Sequence, residues 1–317
     1  MPAKQCYANV RCELTPLMNE AQVANRAEPR GVLSRLLACI RLGEVLVLQG
    51  SPLIGACYSI GAVTADKMVA AAALGIGSLC LVAHVFLLND WSGVAGDLRD
   101  PNRAMRTFHA KGVSRTEVGL LAAVLLGLSL LLFGFLGAVP FALALAIAGL
   151  SALYSAPAFH IKGLPFLNSA LHLVGGALHF LLGYGTFAAI DGRGLALSCF
   201  FGLVFAGGHL MHEVRDRDGD QSNGIRTNAV AFGKDSGFVA GVALFTVAYA
   251  LLVSLAAFAV IPRVLVLAGA LYPLHLGASL RAWDAGLDVR SLLRLQRCYR
   301  LLYAVIGIAM AATTLLT

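Results

Sequence analysis

MVAAAALGIGSLCLVAHVFLLNDWSGVAGDLRD spells residues 68–100. From Met68 to Asn89 there is no Asp, Glu, Lys or Arg. A helix rising 1.5 Å per residue needs about 20 such residues to cross a hydrocarbon core of roughly 30 Å. The run then ends abruptly in acids: Asp90, Asp97 and Asp100 stand where a membrane helix meets water.

Outward from this stretch the pattern repeats. Apolar runs of spanning length recur at 37–62, 68–89, 117–138, 139–156, 167–190, 194–212, 237–260, 263–281 and 299–316. The chain of 317 residues is 58% hydrophobic and 13% charged, with mean hydropathy +0.78; a soluble domain carries about 25% charged residues. The expected fold class is all-α, a polytopic membrane bundle of about nine transmembrane helices. The 34 glycines suit helices that approach closely in lipid. Residues 1–31 lack an apolar core of signal-peptide type and carry Glu13, Glu20 and Glu28. They are expected to form a polar cytoplasmic tail, with one membrane domain over 32–317.

Charge sets the topology. With nine spans, all of the 24 lysines and arginines fall on one side except Lys67, Arg193 and Arg263. Positive charge marks the cytoplasmic side. The N-terminus and both acidic stretches described here are therefore expected in the cytoplasm, in the plasma (inner) membrane if the cell is bacterial. The net charge of +7 sits in loops and predicts no nucleic-acid partner. Pro140 and Pro262 fall at turns on the sparse side, and Pro52 is expected to kink the first span. The seven cysteines are scattered, several of them inside apolar runs where they pack as small apolar residues; Cys6 and Cys12 are close enough to pair or bind metal, but no partner ligands stand near them.

A second acidic stretch answers the first: Glu213-Val-Arg-Asp216-Arg-Asp218-Gly-Asp220. Asp90, Gly93 and Asp97 fall at i, i+3, i+7, and so do Glu213, Asp216 and Asp220. That spacing puts each set on one helix face. Two acidic faces in a lipid-soluble chain call for a cation between them. Mg²⁺ takes hard oxygen ligands and commonly binds one or two carboxylates together with waters and phosphates. The reading is that these faces hold Mg²⁺, and that Mg²⁺ holds a diphosphate whose lipid chain lies in the bundle. Lys162, Arg106 and Arg226 are candidates to add positive charge. Asp218 points off the face. Asp100 is a further ligand or a cap, and Asn89 orients a carboxylate, binds phosphate or caps a helix end.

The histidines raise an alternative. His209 and His212 stand at i, i+3 beside Glu213, a possible transition-metal pair that no second His–acid set completes. His172 and His179 lie two turns apart within a span, either functional or bonded to backbone carbonyls.

These residues carry a resemblance to the UbiA family of intramembrane prenyltransferases. Asn89-Asp90-x-x-Gly93-x-x-x-Asp97 resembles its first acidic motif, N-D-x-x-D-x-x-x-D. Glu213-x-x-Asp216-x-x-x-Asp220 resembles its second, D-x-x-D-x-x-x-D. Arg106 through Gly112 is similar to a turn after the first motif. Tyr154-Ser155-Ala156-Pro157 with Lys162 matches a Y-S-x-P…K element, and Gly224, Thr227, Val230 and Gly233 follow the second motif. The resemblance spans about residues 37–316. It implies a nine-helix bundle with a central cavity, and two Mg²⁺ ions bridging the motifs to a prenyl diphosphate. Ionisation would give an allylic carbocation that alkylates an aromatic or other lipophilic acceptor. On the matched positions, Asp90, Asp97, Asp216 and Asp220 would be metal ligands, and Glu213 a substitute for an Asp ligand. Asn89, Lys162, Arg106 and Arg41 would meet the diphosphate, and Tyr154 and Ser155 would line the cavity. The departures are Gly93 in place of a carboxylate, His160 where arginine is common and Asn228 where leucine is common.

Three other functions compete. A cation-coupled transporter would place its acids near the bilayer midplane. A phosphatidyltransferase using CDP-alcohols would gather its acids in one longer motif, which this sequence lacks. A non-catalytic family member is the reading that Gly93 keeps open.

Overall fold

The computed structural model describes residues 31–315 except Asp100, Arg106, Pro157 and His160. The tail expected over 1–31, with Cys6 and Cys12, therefore lies outside the described residues, Gly31 apart. Every regular element among the described residues is helical. The main helices are α1 (Val32–Cys39), α2 (Leu42–Leu48), α3 (Gly50–Ser59), α4 (Ala65–Asp97), α5 (Arg115–Leu136), α6 (Ala138–Ser155), α7 (Leu167–Phe187), α8 (Gly192–Ser222), α9 (Lys234–Ala257), α10 (Tyr272–Asp284) and α11 (Val289–Leu315). Among the described residues, seven stretches are long and apolar enough to cross a membrane: α4 to α9, and the segment Arg263–Asp284 that contains α10.

The remaining two expected spans depart from that description. The span expected at 37–62 is broken into α1, α2 and α3. The first break falls at Ile40–Arg41, where the backbone turns extended, and the second at Gln49. Pro52 is the third residue of α3 and not itself the break; its missing amide falls among first-turn donors that have no helical acceptor anyway. The last span, expected at 299–316, begins ten residues earlier as α11, with Arg290, Arg294, Arg297 and Arg300 in its first half.

Two helices outrun their expected spans. At 1.5 Å per residue, the 33 residues of α4 and the 31 of α8 make rods of about 50 and 46 Å, longer than a hydrocarbon core of roughly 30 Å. The helix does not stop where the apolar run stops. It continues through the acids, so the carboxylates are held on rigid elements that project from the bundle. Thr64 caps the start of α4 by accepting the Lys67 amide, and Asp191 caps α8 by accepting that of Gly194.

The segment Arg263–Leu271 is 3₁₀ helix before it becomes α10. Pro273, in the first turn of α10, has no amide to offer the carbonyl four residues back, and the Tyr272 amide bonds Gly269 three residues back instead.

Packing closes the bundle. α7 packs on α3, α6 and α8; α4 on α5 and α6; α8 on α9; and α11 returns to α3. Lipid gives helices little hydrophobic reason to associate, so close fit matters. A Cβ on Gly183 would strike the Pro52 carbonyl, and one on Gly55 the Phe180 carbonyl. The broken first span can therefore press backbone to backbone against α7.

Candidate functional site

Backbone carbonyls leave the C-terminal end of a helix partly negative. α4 ends in Asp97, and α8 carries Glu213, Asp216 and Asp220 in its last ten residues. Carboxylates there repel both the helix end and each other, so they call for cations or hydrogen-bond donors.

The structure supplies these cations. Arg103, in the short helix Pro101–Ala104 just past α4, has Nη1 3.5 Å from Asp97 Oδ1 and 4.0 Å from Asp220 Oδ1. Its Nη2 lies 3.3 Å from Asp216 Oδ2. One guanidinium thus touches carboxylates from both acidic stretches, which lie more than a hundred residues apart in sequence. The backbones meet as well: a Cβ on Gly96 would stand 3.3 Å from the Asn223 side chain that caps α8. The two helix tips converge at one end of the bundle.

Arg41 sits in the first break of the opening span, between α1 and α2. Its guanidinium pairs with both oxygens of Asp90, Nε at 3.2 Å from Oδ2 and Nη2 on Oδ1. An intact first helix would not present it there. Asn89 precedes Asp90 within α4, and its carbonyl accepts the Ser92 hydroxyl.

On α8, Arg215 holds Asp216 from both sides, Nε at 2.8 Å and Nη2 at 2.9 Å. The same guanidinium donates to Gln296 of α11 at 3.0 Å. Asp220 is buried and feels the charges of Lys162 and Arg103. Asp218 points away as the spacing predicts, exposed and paired with Arg217 and Lys234.

Glu213 stands apart. It is 3% exposed and faces a polar pocket beneath the tips. Asn168 Nδ2 and His209 Nε2 reach one oxygen, and the Asn228 amide and Nδ2 reach the other. His209 stacks on His172 with ring centroids 3.4 Å apart, and Tyr154 meets both rings edge-on. His172 Nδ1 lies 2.9 Å from the Asn168 carbonyl. His212 turns the other way, to Gln296, so His209 and His212 do not form a metal pair. Ser155 Oγ is buried with no hydrogen-bond partner among the described residues. Lys162 occupies a 3₁₀ turn, Ile161–Gly163, between α6 and α7. Arg106, Asp100 and His160 lie outside the described residues, and Arg226 is exposed.

Among the described residues, no three His, Cys, Asp or Glu side chains are gathered closely enough to enclose an ion as they stand. The acids are instead spread around Arg103. Their chemistry still fits a hard divalent cation that keeps most of its waters: Asp97, Asp216 and Asp220 all lie within 4.0 Å of one guanidinium.

The profile of the UbiA prenyltransferase family matches residues 49–295. The chain belongs to that family. It is an integral, multi-pass membrane prenyltransferase. Its fold is similar to that of a UbiA homologue from Archaeoglobus fulgidus solved with GPP and Mg²⁺, at 17% identity and TM-score 0.66, covering 88% of this chain and 99% of that one. A UbiA homologue from Aeropyrum pernix K1 in its apo form aligns at 19% identity and TM-score 0.69, over 85% and 98%. A digeranylgeranylglyceryl phosphate synthase aligns at 16% identity and TM-score 0.67, over 90% and 99%. No curated protein matches this UbiA-family chain in sequence.

Sequence reading missed Arg103, which counted only as a loop charge. The available signal was its position six residues past Asp97 on the crowded basic side.

Proposed function

We propose that this UbiA-family protein transfers a prenyl group from a prenyl diphosphate to an aromatic or other lipophilic acceptor, in a Mg²⁺-dependent reaction at the converging tips of α4 and α8. The observation that carries this reading is the single guanidinium of Arg103 bridging Asp97, Asp216 and Asp220. Acids that share one organic cation can share inorganic ones. The solved relative bound to GPP and Mg²⁺ supports the same assignment.

In this reading Asp90, Asp97, Asp216 and Asp220 hold Mg²⁺ ions, which when bound neutralise the charge that develops on the departing diphosphate. Arg215 fixes the Asp216 carboxylate in one orientation, so little reorganisation accompanies ionisation. Lys162, Arg41, Asn89 and Arg106 add donors for the phosphate oxygens. Arg103, already among the acids, would turn to the diphosphate when ions take its place. Tyr154 and the stacked pair His172 and His209 form an aromatic wall beneath the tips, where an allylic cation would form out of reach of bulk water. Both tips and the N-terminal segment are assigned to the cytoplasmic face.

The transporter reading is disfavoured by depth. The carboxylates cluster at projecting helix ends and not at mid-helix.

The test is direct. Membranes carrying the protein are incubated with prenyl diphosphates of several lengths and a panel of phenolic, quinone and lipid-alcohol acceptors, with and without chelator. The expected result is a prenylated product identified by mass, lost with chelator and in Asp90→Asn and Asp216→Asn. Product formation that ignores Mg²⁺, or that survives both substitutions, would remove this mechanism.

A further inference from the structure

The buried carboxylate of Glu213 shares a helix face with Asp216 and Asp220 but not their surroundings. We infer that Glu213 is not a metal ligand but a positioning residue, one that ties the Lys162 turn and the chain after α8 to the reaction centre. The inference rests on the function proposed above.

Four observations carry it. First, a carboxylate offers about four lone-pair sites, and all are engaged. Asn168 Nδ2 and His209 Nε2 occupy Oε1, and the amide and Nδ2 of Asn228 occupy Oε2 at 3.1 and 3.0 Å. Turning an oxygen toward an ion would leave a buried donor unpaired. Second, Glu213 lies seven residues before Asp220, which is about 10 Å deeper along the helix axis. Arg103 lies against Asp216 and Asp220, whereas Glu213 lies against His209.

Third, the partners of Glu213 lead to Lys162. The same Asn168 Nδ2 also donates to the Lys162 carbonyl at 3.0 Å, and Asn168 is fully buried. Asn228 Oδ1 accepts the Phe166 amide at 2.8 Å, and its Nδ2 donates to Ser169 Oγ at 3.0 Å. The short segment from Lys162 to Ser169 is thus fastened at three points, each through Asn168 or Asn228 and each of those through Glu213. Fourth, that segment needs fastening. Phe166 holds φ +61°, a conformation a bulky side chain adopts only when its surroundings impose it. The side-chain oxygen of Asn228 accepts the amide of that strained residue. A leucine at 228 would supply neither the Phe166 nor the Ser169 bond. A glutamate at 213, one methylene longer than aspartate, has the reach to gather all four donors. Glu213 and Asn228 are therefore read as one unit.

The consequence is a division of labour on α8. Asp216 and Asp220 face the ions. Glu213 sets the height and direction of the Lys162 ammonium toward the diphosphate.

The experiment uses the full chain in lipid nanodiscs and reads binding, not turnover. Mn²⁺ replaces Mg²⁺ as a paramagnetic probe, and a non-ionising geranyl thiolodiphosphate replaces the substrate. For Glu213→Gln the analogue's Kd is expected to rise about tenfold, which is 1.4 kcal/mol, while Mn²⁺ stoichiometry and affinity stay within about twofold of wild type. Asn168→Ala, which leaves Glu213 in place, is expected to reproduce that pattern even if Glu213→Gln fails to fold. In a Lys162→Ala background, Glu213→Gln is expected to add less than about twofold, because the two residues act through one contact. Asp216→Asn is the contrast and loses Mn²⁺. The inference is overturned if Glu213→Gln loses Mn²⁺ as Asp216→Asn does, or if its effect on the analogue persists undiminished without Lys162. A wild-type protein that binds neither Mn²⁺ nor the analogue would overturn the proposed function itself, and this inference with it.

Discussion

The two acidic helix tips carry similar spacings in unlike surroundings. On α8, Asp216 is gripped by Arg215, Arg215 is braced by Gln296 of α11, and Asp220 is 4% exposed. On α4, Asp90 and Asp97 have side chains 21% and 27% exposed, beside 31% for Asp216, so they differ from Asp216 in where their cations come from and not in exposure. The cations of Asp90 and Asp97 come from the broken first span and from a four-residue helix, and the middle position of the triplet is Gly93. Asp216 takes one of its arginines from α8 itself, whereas both arginines on the α4 acids come from outside that helix. The difference makes the Asp216 carboxylate the more firmly oriented of the two sets.

The largest effect expected from this contrast separates Asp216 from Asp97. Asp216→Asn should lower kcat by about 10²–10³, the scale for removing one fixed electrostatic contact, and excess Mg²⁺ should not restore it. Asp97→Asn should recover part of its activity at high Mg²⁺, because the open space at Gly93 leaves room for water as a ligand on that tip. Rates measured against Mg²⁺ concentration for both variants decide the matter. Equal recovery would erase the distinction.

Gly93 gives a sharper version. A Cβ there would meet nothing nearer than Asp97 Oδ2 at 4.0 Å, so a side chain fits. Gly93→Asp should reduce the Mg²⁺ concentration for half-maximal activity on the order of tenfold. A rise instead would mean that repulsion from Asp97 outweighs the added ligand.

Much of this was legible beforehand. The i, i+3, i+7 spacing named Asp90, Asp97, Asp216 and Asp220, and the structure brings three of them onto one guanidinium. Apolar runs located the spans from α4 to α9. What stayed hidden depends on tertiary contacts. Helices α4 and α8 outlast their apolar runs because packing between the tips, such as Gly96 on Asn223, holds polar residues helical where hydropathy alone ends the span. The opening span looked continuous because its breaks lie at Ile40–Arg41 and Gln49, away from its proline. Glu213 shared a face with its neighbours by spacing, but depth along the axis placed it among amides and not among cations.

Arg103 tests the same contrast through stability. Without divalent ions, Arg103→Ala removes the cation shared by Asp97, Asp216 and Asp220, leaving Asp216 to Arg215 and Asp220 to the charge of Lys162. At about 1.5–3 kcal/mol for charge-assisted bonds and roughly 2 °C per kcal/mol at this chain length, Tm should fall by about 3–6 °C. Mg²⁺ with a prenyl diphosphate analogue should shrink that deficit, since ions then take over the neutralising role. Thermal unfolding in nanodiscs with and without both ligands measures it. A deficit unchanged by ligands would mean that Arg103 serves the fold and not the site.

The smallest effect comes from the opposite end of α8, which completes the comparison within a single helix. There the partial charge is positive, and Asp191 suits it. Its carboxylate accepts the Gly194 amide at 2.8 Å and the Tyr184 hydroxyl at 3.0 Å. The amide bond first, then the hydroxyl, holds its pKa below the ordinary value of 3.8. A depressed carboxylate pKa stabilises the folded chain above that ordinary value, and the stabilisation is lost as pH falls through the depressed one. Asp191→Asn keeps a capping oxygen but cannot titrate. The variant should melt slightly below wild type at neutral pH, and the gap should close as the pH is lowered past the ordinary carboxylate range. A gap for Asp191→Asn that is constant with pH would mean that the cap works through shape alone, and that charge at a helix end matters in this bundle only where the acids converge.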